Sequence, residues 1–284
     1  MDSLLVALKP VFAFFNSAFV IAFVGGLTGA LGGALGAQHI IERGSRRTEL
    51  LRELRNTNAA TMVGFSIVNA ALALKNQHVR PLFEKFHADK AALAKFEVDR
   101  AAGRLSPGAQ FTLVTDLRSF PAPVVPIDTL KTLVFDKISA QGRALALVSV
   151  IEQSLVGLHN AIRQRDEMCR RFQSGAVPSQ QLPNYYFGRP LQSGTNQEYP
   201  DLVDAIHEYV DDLAFFAALL CEDLNSHGEA LRTTLADKFW KEAPKATAAD
   251  FSGPRKSGLL PPDANYADWL KAFATKNSNE AVAQ

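Results

Sequence analysis

The sequence predicts an all-α protein with a single N-terminal transmembrane helix. An antiparallel bundle of long helices, interrupted by an irregular, proline-rich insertion, is expected to follow it. No Asp, Glu, Lys or Arg occurs at residues 10–41, a stretch longer than the ~20 apolar residues that cross a bilayer. Beyond it, apolar residues recur at steps of three and four, the period of a helix with one buried face.

These patterns divide the chain into four segments. We expect a short N-terminal tail at residues 1–9, a transmembrane helix at 10–38, a soluble helical bundle at 39–242 and a flexible C-terminal tail at 243–284. The tail begins with Lys, Ala, Pro, Gly and Ser, the composition of a linker. A short amphipathic helix is expected near 263–276. Hydrophobic residues make up 47% of the chain, which predicts a folded core rather than disorder.

The predicted membrane helix has a bulky half followed by a half of small residues. Leu27, Leu31 and Leu35 form a ridge on one face, whereas the glycines lie elsewhere on the helix. Glycines let a second helix approach closely in lipid, where packing drives association. The residues predicted to mediate self-association or partner docking are Gly25, Gly29, Gly33 and Gly36. The alternatives are that glycine is simply frequent in membrane helices, or that this half is a flexible exit from the bilayer.

Basic residues follow the apolar stretch. Arg43, Arg46 and Arg47 lie just after it, whereas only Lys9 and Asp2 carry charge before it. Because basic residues cluster on the cytoplasmic side, we expect the soluble domain in the cytoplasm. These arginines are predicted either to contact anionic headgroups or only to fix the orientation. A cleaved signal peptide is the competing interpretation, but the apolar stretch is too long for one.

Apolar stripes predict the long helices of the bundle. A short connection near 76–78 is expected to join two helices that pack antiparallel. Further helices are predicted from Gly142 to about Phe172 and from about Asp201 to Glu242. Before the first of these, residues 103–126 are predicted to be a packed extended loop, since their weak strand pattern lacks a partner.

Composition and motifs exclude several kinds of activity. Thirty Lys and Arg nearly balance 29 Asp and Glu, and this net charge of +1 argues against a nucleic-acid partner. Cys169 and Cys221 lie far apart, so no disulfide framework is expected. Neither cysteine lies in a catalytic motif, and the glycine-rich stretch lacks the Lys-Ser/Thr of a phosphate loop. We therefore expect no catalytic residues and no cofactor.

One helical face could in principle hold a cation. Asp204, His207 and Asp211 are spaced so that all three lie on the same side of a helix. Bundle metal sites, however, repeat such a motif on a second helix, and no matching motif occurs here. We expect a solvated acidic face and no metal.

Two aromatic groups are candidate recognition surfaces. Tyr185, Tyr186 and Phe187 lie between prolines and glycines, and they are predicted either to bind a partner or, in the favoured interpretation, to cap the core. The second group has the spacing of a short amphipathic helix that docks in a partner's groove or on its own bundle. Its members are Tyr266, Trp269, Leu270 and Phe273.

Together these features predict a membrane-anchored helical interaction or scaffold protein without catalytic activity. The expected partners are the lipid bilayer, further copies of the same chain and an unidentified protein. The alternatives are a membrane-tethered sensor domain on the outer face and an oligomeric pore-forming membrane protein. An enzyme would need a site assembled from scattered residues without a motif.

Overall fold

The structure, a computed structural model, describes residues 18–140, 142–191, 194–239 and 243–273, with side chains described from residue 37. It is mostly helical, as predicted. The described residues fall into two compact units. One contains 18–52, 234–239 and 243; the other contains the described residues of 53–233 and 244–273.

The helices and strands of the described chain are bounded as follows. They are α1 Ala18–Leu74, a π-helix Lys75–Val79, α2 Arg80–Ala101, α3 Ile127–Lys131, a second π-helix Thr132–Asp136, α4 Arg143–Gln173, α5 Leu182–Phe187, strands β1 Pro190–Leu191 and β2 Gly194–Thr195, α6 Glu198–Phe239, α7 Ser252–Lys256, a 3₁₀-helix Asp263–Tyr266 and α8 Ala267–Lys271.

The predicted connection near 76–78 is wrong, because the helical backbone does not reverse there. Leu74 and Arg80 both have helical dihedrals, and the Arg80 N–H donates to the carbonyl of Lys75, five residues earlier. The segment contains no Gly that would favour a turn. Pro81 lacks an N–H and would crowd the carbonyl four residues before it in a regular helix. The wider π-turn directly before Pro81 keeps the chain helical.

Helices α1 and α2, which are continuous through the π-helix, do not pack antiparallel to each other. Their antiparallel partner is α6. Residue numbers rise along α1 and α2 while those of their contacts fall along α6. The contacting pairs, in chain order, are Thr61 with Cys221, Lys75 with Asp211, Phe83 with His207 and His87 with Asp204. An antiparallel arrangement is therefore present, but between helices distant in sequence.

Helix α4 also runs antiparallel to α6. Arg143 pairs with Asp223 near the start of α4, and Arg165 lies by Tyr199 near its end. Between them, a side chain on Gly157 would meet the ring of Tyr209 at 2.6 Å, so glycine permits this close approach. The predicted apolar stripe of α4 is confirmed: its members Val148, Ile151, Leu155, Leu158, Ile162, Cys169 and Phe172 are all buried.

The insertion after α2 is extended, and the described residues 103–126 form no strand. Phe120 anchors it, because its side chain is buried in the core. The aromatic segment that follows α4 lies in helix α5, where Tyr186 and Phe187 are also buried. The favoured interpretation of this segment, that it caps the core, is confirmed for these two residues.

The described part of the C-terminal tail is packed, which differs from the expected flexible linker. Phe251 and Leu260 are buried in the core. The Asn58 side chain in α1 donates to the carbonyl of Lys245 and accepts from the N–H of Thr247. Burial of Phe251 and Leu260 and the two hydrogen bonds of the Asn58 amide thus hold this segment against the bundle, although its composition resembles that of a linker. Residues 274–284 lie outside the described part.

Candidate functional site

The predicted membrane helix is described only as backbone. Residues 18–38 belong to helix α1, whereas residues 10–17 lie outside the described part. Gly25, Gly29, Gly33 and Gly36 are therefore helical, as self-association requires. Their surroundings lie outside the described side chains, and the association face stays a prediction.

Two helices in the described part are long and apolar enough to cross a membrane. They lie within residues 37–101 and 143–173, and 44% of the qualifying window is buried in each. Both also supply core residues such as Val68 and Ile151. Because a core helix can have the same length and composition, these two helices are weak evidence for a membrane protein.

The predicted arginines border a cleft that the fold forms between α1 and the end of α6. The Arg43 Nη2 donates to the Lys238 carbonyl at 2.9 Å, and its guanidinium lies 5.8 Å from the Phe239 ring centroid. Lys238 lies in the last turn of α6, where carbonyls lack helical partners. Arg43, a residue of α1, thus contacts the last turn of α6.

We call this feature the Arg43 cleft. It has a volume of about 680 Å³ and brings two helix segments together at its walls. Its lining residues are His39, Glu42, Arg43, Ser45, Arg46, Glu49, Lys238 and Phe239. Arg47 is half-buried and is not among them. The structure therefore places two of the three predicted arginines beside Lys238, a residue that no sequence pattern linked to them.

The predicted tail helix lies against α6 of the same chain. The Tyr266 ring stacks on Phe215 with centroids 3.8 Å apart, and its hydroxyl donates to Asp212 Oδ1 at 2.9 Å. The Trp269 ring lies 4.9 Å from that of Phe216. Leu270 packs on the same core, and Phe273 contacts Trp269. Of the two predicted alternatives, the structure shows the tail helix docked on the chain's own bundle.

The three residues of the expected acidic face lie instead in a helix contact. Asp211 pairs with the buried Lys75 of the π-helix, and His207 stacks on Phe83 with centroids 4.0 Å apart. Asp204 bonds to His87 at 2.9 Å. The expectation of a solvated face is wrong for His207 and Asp211, whose side chains are 25% and 17% exposed, whereas the Asp204 side chain stays 45% exposed. In the described chain no group of three or more His, Cys, Asp or Glu is arranged to hold a metal ion.

Burial controls the ionisation of this contact. It lowers the pKa of His207, against an opposing effect of Asp211, and so favours the neutral ring. It also raises the pKa of Asp212, although the bond from Tyr266 opposes the shift. Lys75 Nζ additionally donates to the Leu259 carbonyl at 2.8 Å, which connects the π-helix to the C-terminal segment. These contacts hold three parts of the chain together.

Arg165 is a buried polar residue that the sequence analysis missed. Its guanidinium donates to the carbonyls of Asp116 and Arg118, each at 2.9 Å, and lies 5.0 Å from the Phe120 ring centroid. A signal was present, since Arg165 follows Ile162 by three residues and precedes Cys169 by four on the apolar stripe of α4. A charged residue in that position needs buried partners, and the insertion provides them.

The two cysteines are free and buried. Burial raises the pKa of the Cys221 thiol to about 12 and also raises that of Cys169. A reactive cysteine needs a depressed pKa and access to solvent, so neither thiol has the character of a nucleophile. Comparisons with known proteins add no assignment, because the chain matches no family model, no curated protein and no solved structure.

Proposed function

We propose that this chain is a membrane-anchored helical scaffold that self-associates through its N-terminal helix and binds a protein partner without catalysing a reaction. The observation that carries the proposal is the absence of Asp, Glu, Lys and Arg from residues 10–41. A helix of that length satisfies its own backbone hydrogen bonds and spans the hydrocarbon layer. The soluble domain then lies on the cytoplasmic side.

Exposed side chains at the end of this stretch support the anchor. Ile40 and Ile41 are 73% and 69% exposed. They lie two and three residues after the end of the predicted span and before the first arginine, Arg43. Large apolar side chains next to arginines are typical of a helix leaving a bilayer, where apolar groups meet lipid and basic groups meet headgroups.

Membrane extraction of the full chain tests the anchor. We expect the expressed protein to stay with membranes through alkaline carbonate washing and to need detergent for solubilisation. Replacing Ile21 and Leu27 with Arg adds charges that cost about 2.5–3.5 kcal/mol each at the centre of a membrane helix, so this variant is expected in the soluble fraction. A wild-type chain that remains monodisperse in buffer without detergent overturns the proposal.

The orientation is tested by a reporter at the C-terminus. A reporter that is active only in the cytoplasm should be active in this fusion, since five arginines from Arg43 to Arg55 follow the stretch. Activity of an exported reporter instead supports the sensor domain on the outer face. That result would reverse the proposed topology while leaving the anchor intact.

Self-association is tested by substitutions on two faces of the same helix. Gly29→Ile together with Gly33→Ile should reduce oligomers in membranes, because the larger side chains separate the packed backbones. Leu27→Ile with Leu31→Ile on the leucine ridge is the matched control and should leave them unchanged. Equal oligomer levels in both variants contradict the association face.

A further inference from the structure

We infer that the Arg43 cleft binds the phosphate of an anionic phospholipid headgroup. This inference rests on the proposed membrane anchor and assigns it a specific lipid site. The cleft unites residues that are almost 200 positions apart in sequence: Arg43 and Arg46 on α1 face Lys238 and Phe239 at the end of α6. Its volume of about 680 Å³ accommodates a headgroup.

Arg43 contacts the opposite wall of the cleft, so the cations available to a ligand are other residues. Its guanidinium donates to the Lys238 carbonyl and lies over the Phe239 ring. This contact joins α1 to the last turn of α6. Arg46 and Lys238 have no side-chain hydrogen bond or ion pair with any residue that the structure describes. Two cations on different walls of the cleft are thus available to an anion.

The lining residues carry a small excess of positive charge, which favours binding of an anion. Arg43, Arg46 and Lys238 are positive, whereas Glu42 and Glu49 are negative. The Glu42 carboxylate already accepts a hydrogen bond from the Gln38 amide at 2.8 Å. A phosphate flanked by Arg46 and Lys238 forms charge-assisted hydrogen bonds, which are stronger than neutral ones.

The apolar surroundings favour a lipid over a free phosphate ion. Ile40 is exposed and precedes Arg43 by three residues, so the two side chains are neighbours on the helix surface. The predicted span ends at residue 38, directly before His39, the first lining residue of the cleft. A phospholipid places acyl chains beside the isoleucines while its phosphate enters the cleft, whereas a free ion makes no use of the apolar surface.

Photocrosslinking in vesicles tests the site. The full chain is reconstituted into phosphatidylcholine vesicles that carry a photoreactive phosphatidylserine, and the labelled residues are mapped by mass spectrometry. We expect labelling at the cleft that exceeds labelling by a photoreactive phosphatidylcholine. Lys238→Gln and Arg46→Gln should each reduce it about fivefold, the change expected for loss of one basic contact near a membrane surface.

The controls separate charge loss at the cleft from charge loss elsewhere. Lys256→Gln removes an exposed cation and Arg232→Gln a half-buried one, both outside the cleft, and both variants should leave the labelling unchanged. Inorganic phosphate at millimolar concentration should not compete with the lipid. Full competition by phosphate, or equal labelling of wild type and Lys238→Gln, overturns the inference.

Flotation of the same vesicles distinguishes failure of the site from failure of the anchor. A chain that floats with the vesicles but shows unchanged labelling in both cleft variants has an anchor and no headgroup site. A chain that does not float overturns the anchor and the site together. Circular dichroism of each variant confirms that the helices are intact.

Discussion

Lys75 Nζ lies 2.5 Å from Asp211 Oδ1 in the contact between the first π-helix and α6. Only 5% of the Lys75 side chain and 17% of the Asp211 side chain are exposed. Neither residue has a signal in the sequence that links it to the other, since 136 positions separate them. The pair forms because the helix continues through residues 75–79 and stays alongside α6.

Removing one charge of this pair should destabilise the fold strongly. Asp211→Asn leaves the Lys75 ammonium buried without its carboxylate, and breaking a buried pair in this way costs about 3–5 kcal/mol. The free energy of unfolding, measured by urea denaturation of the full chain in mild detergent, checks this. Asp89→Asn is the control, because the Lys85–Asp89 pair is more exposed and its loss costs about 1 kcal/mol or less. Equal effects of the two substitutions contradict the prediction.

Stability should fall as the solution becomes mildly acidic. Burial lowers the pKa of His207 in the folded chain, so the unfolded chain binds a proton at higher pH than the folded one. The contribution of neutral His207 to the free energy of unfolding is therefore fully present above the ordinary histidine pKa of 6.5. It decreases as the pH falls below that value. The charged groups that act electrostatically on the ring are Asp211, Lys75, Asp204 and Glu208.

The measurement is the free energy of unfolding between about pH 8 and pH 5, a range that begins well above the ordinary histidine pKa. His207→Gln should flatten the profile in this range, because the group that titrates is removed. His39→Gln, at an exposed position of α1, should leave the profile as in wild type. A profile that is unchanged in His207→Gln shows that another group governs the acid response.

Arg165 should hold the insertion in place. Arg165→Met removes the donors to the Asp116 and Arg118 carbonyls, and we expect a loss of about 1–3 kcal/mol for these buried acceptors. Release of the segment should also speed tryptic cleavage after Arg118. Arg163→Met on the exposed side of the same helix is the matched control and should alter neither quantity. Unchanged proteolysis at Arg118 would contradict the anchoring role.

Docking of the C-terminal helix should contribute to stability. Trp269→Ala removes a half-buried ring from Phe216, so we expect a loss of about 1–3 kcal/mol, below the 3–5 kcal/mol typical of fully buried aromatic residues. Tyr266→Phe tests the other contact, since it keeps the ring stacked on Phe215 and removes only the bond to Asp212. Its effect should be smaller. Thermal unfolding that is unaffected by Trp269→Ala means that the helix is free to bind a partner.

Helix positions and buried faces were predictable from residue periodicity. The stripe of α4 is buried as expected, and α6 spans Glu198–Phe239 against a predicted range of about Asp201 to Glu242. Residues 240–242 lie outside the described part. The periodicity of apolar residues predicts the buried face correctly because a helix in a bundle must bury one face. The spacing of its apolar residues identifies that face.

Helix pairing and the buried polar contacts were not predictable in this way. Pro81 lies in the first turn of α2, but the π-turn before it keeps the chain helical, so the predicted connection near 76–78 does not reverse the chain. Arg165 carried a usable signal, whereas its acceptors are backbone carbonyls, which every residue possesses. Lys238 acquires a place in the Arg43 cleft only when α6 ends beside α1.

The order of amino acids alone determined where this chain is helical, which faces are apolar and where a stretch without ionised side chains occurs. These properties depend on neighbours within a few residues. Only the tertiary structure decided that α6 is the antiparallel partner of α1, that the C-terminal segment packs on the core, and that Lys75 meets Asp211. Such contacts depend on the free energy of packing distant surfaces, and a local sequence pattern contains no information about which distant surface is available.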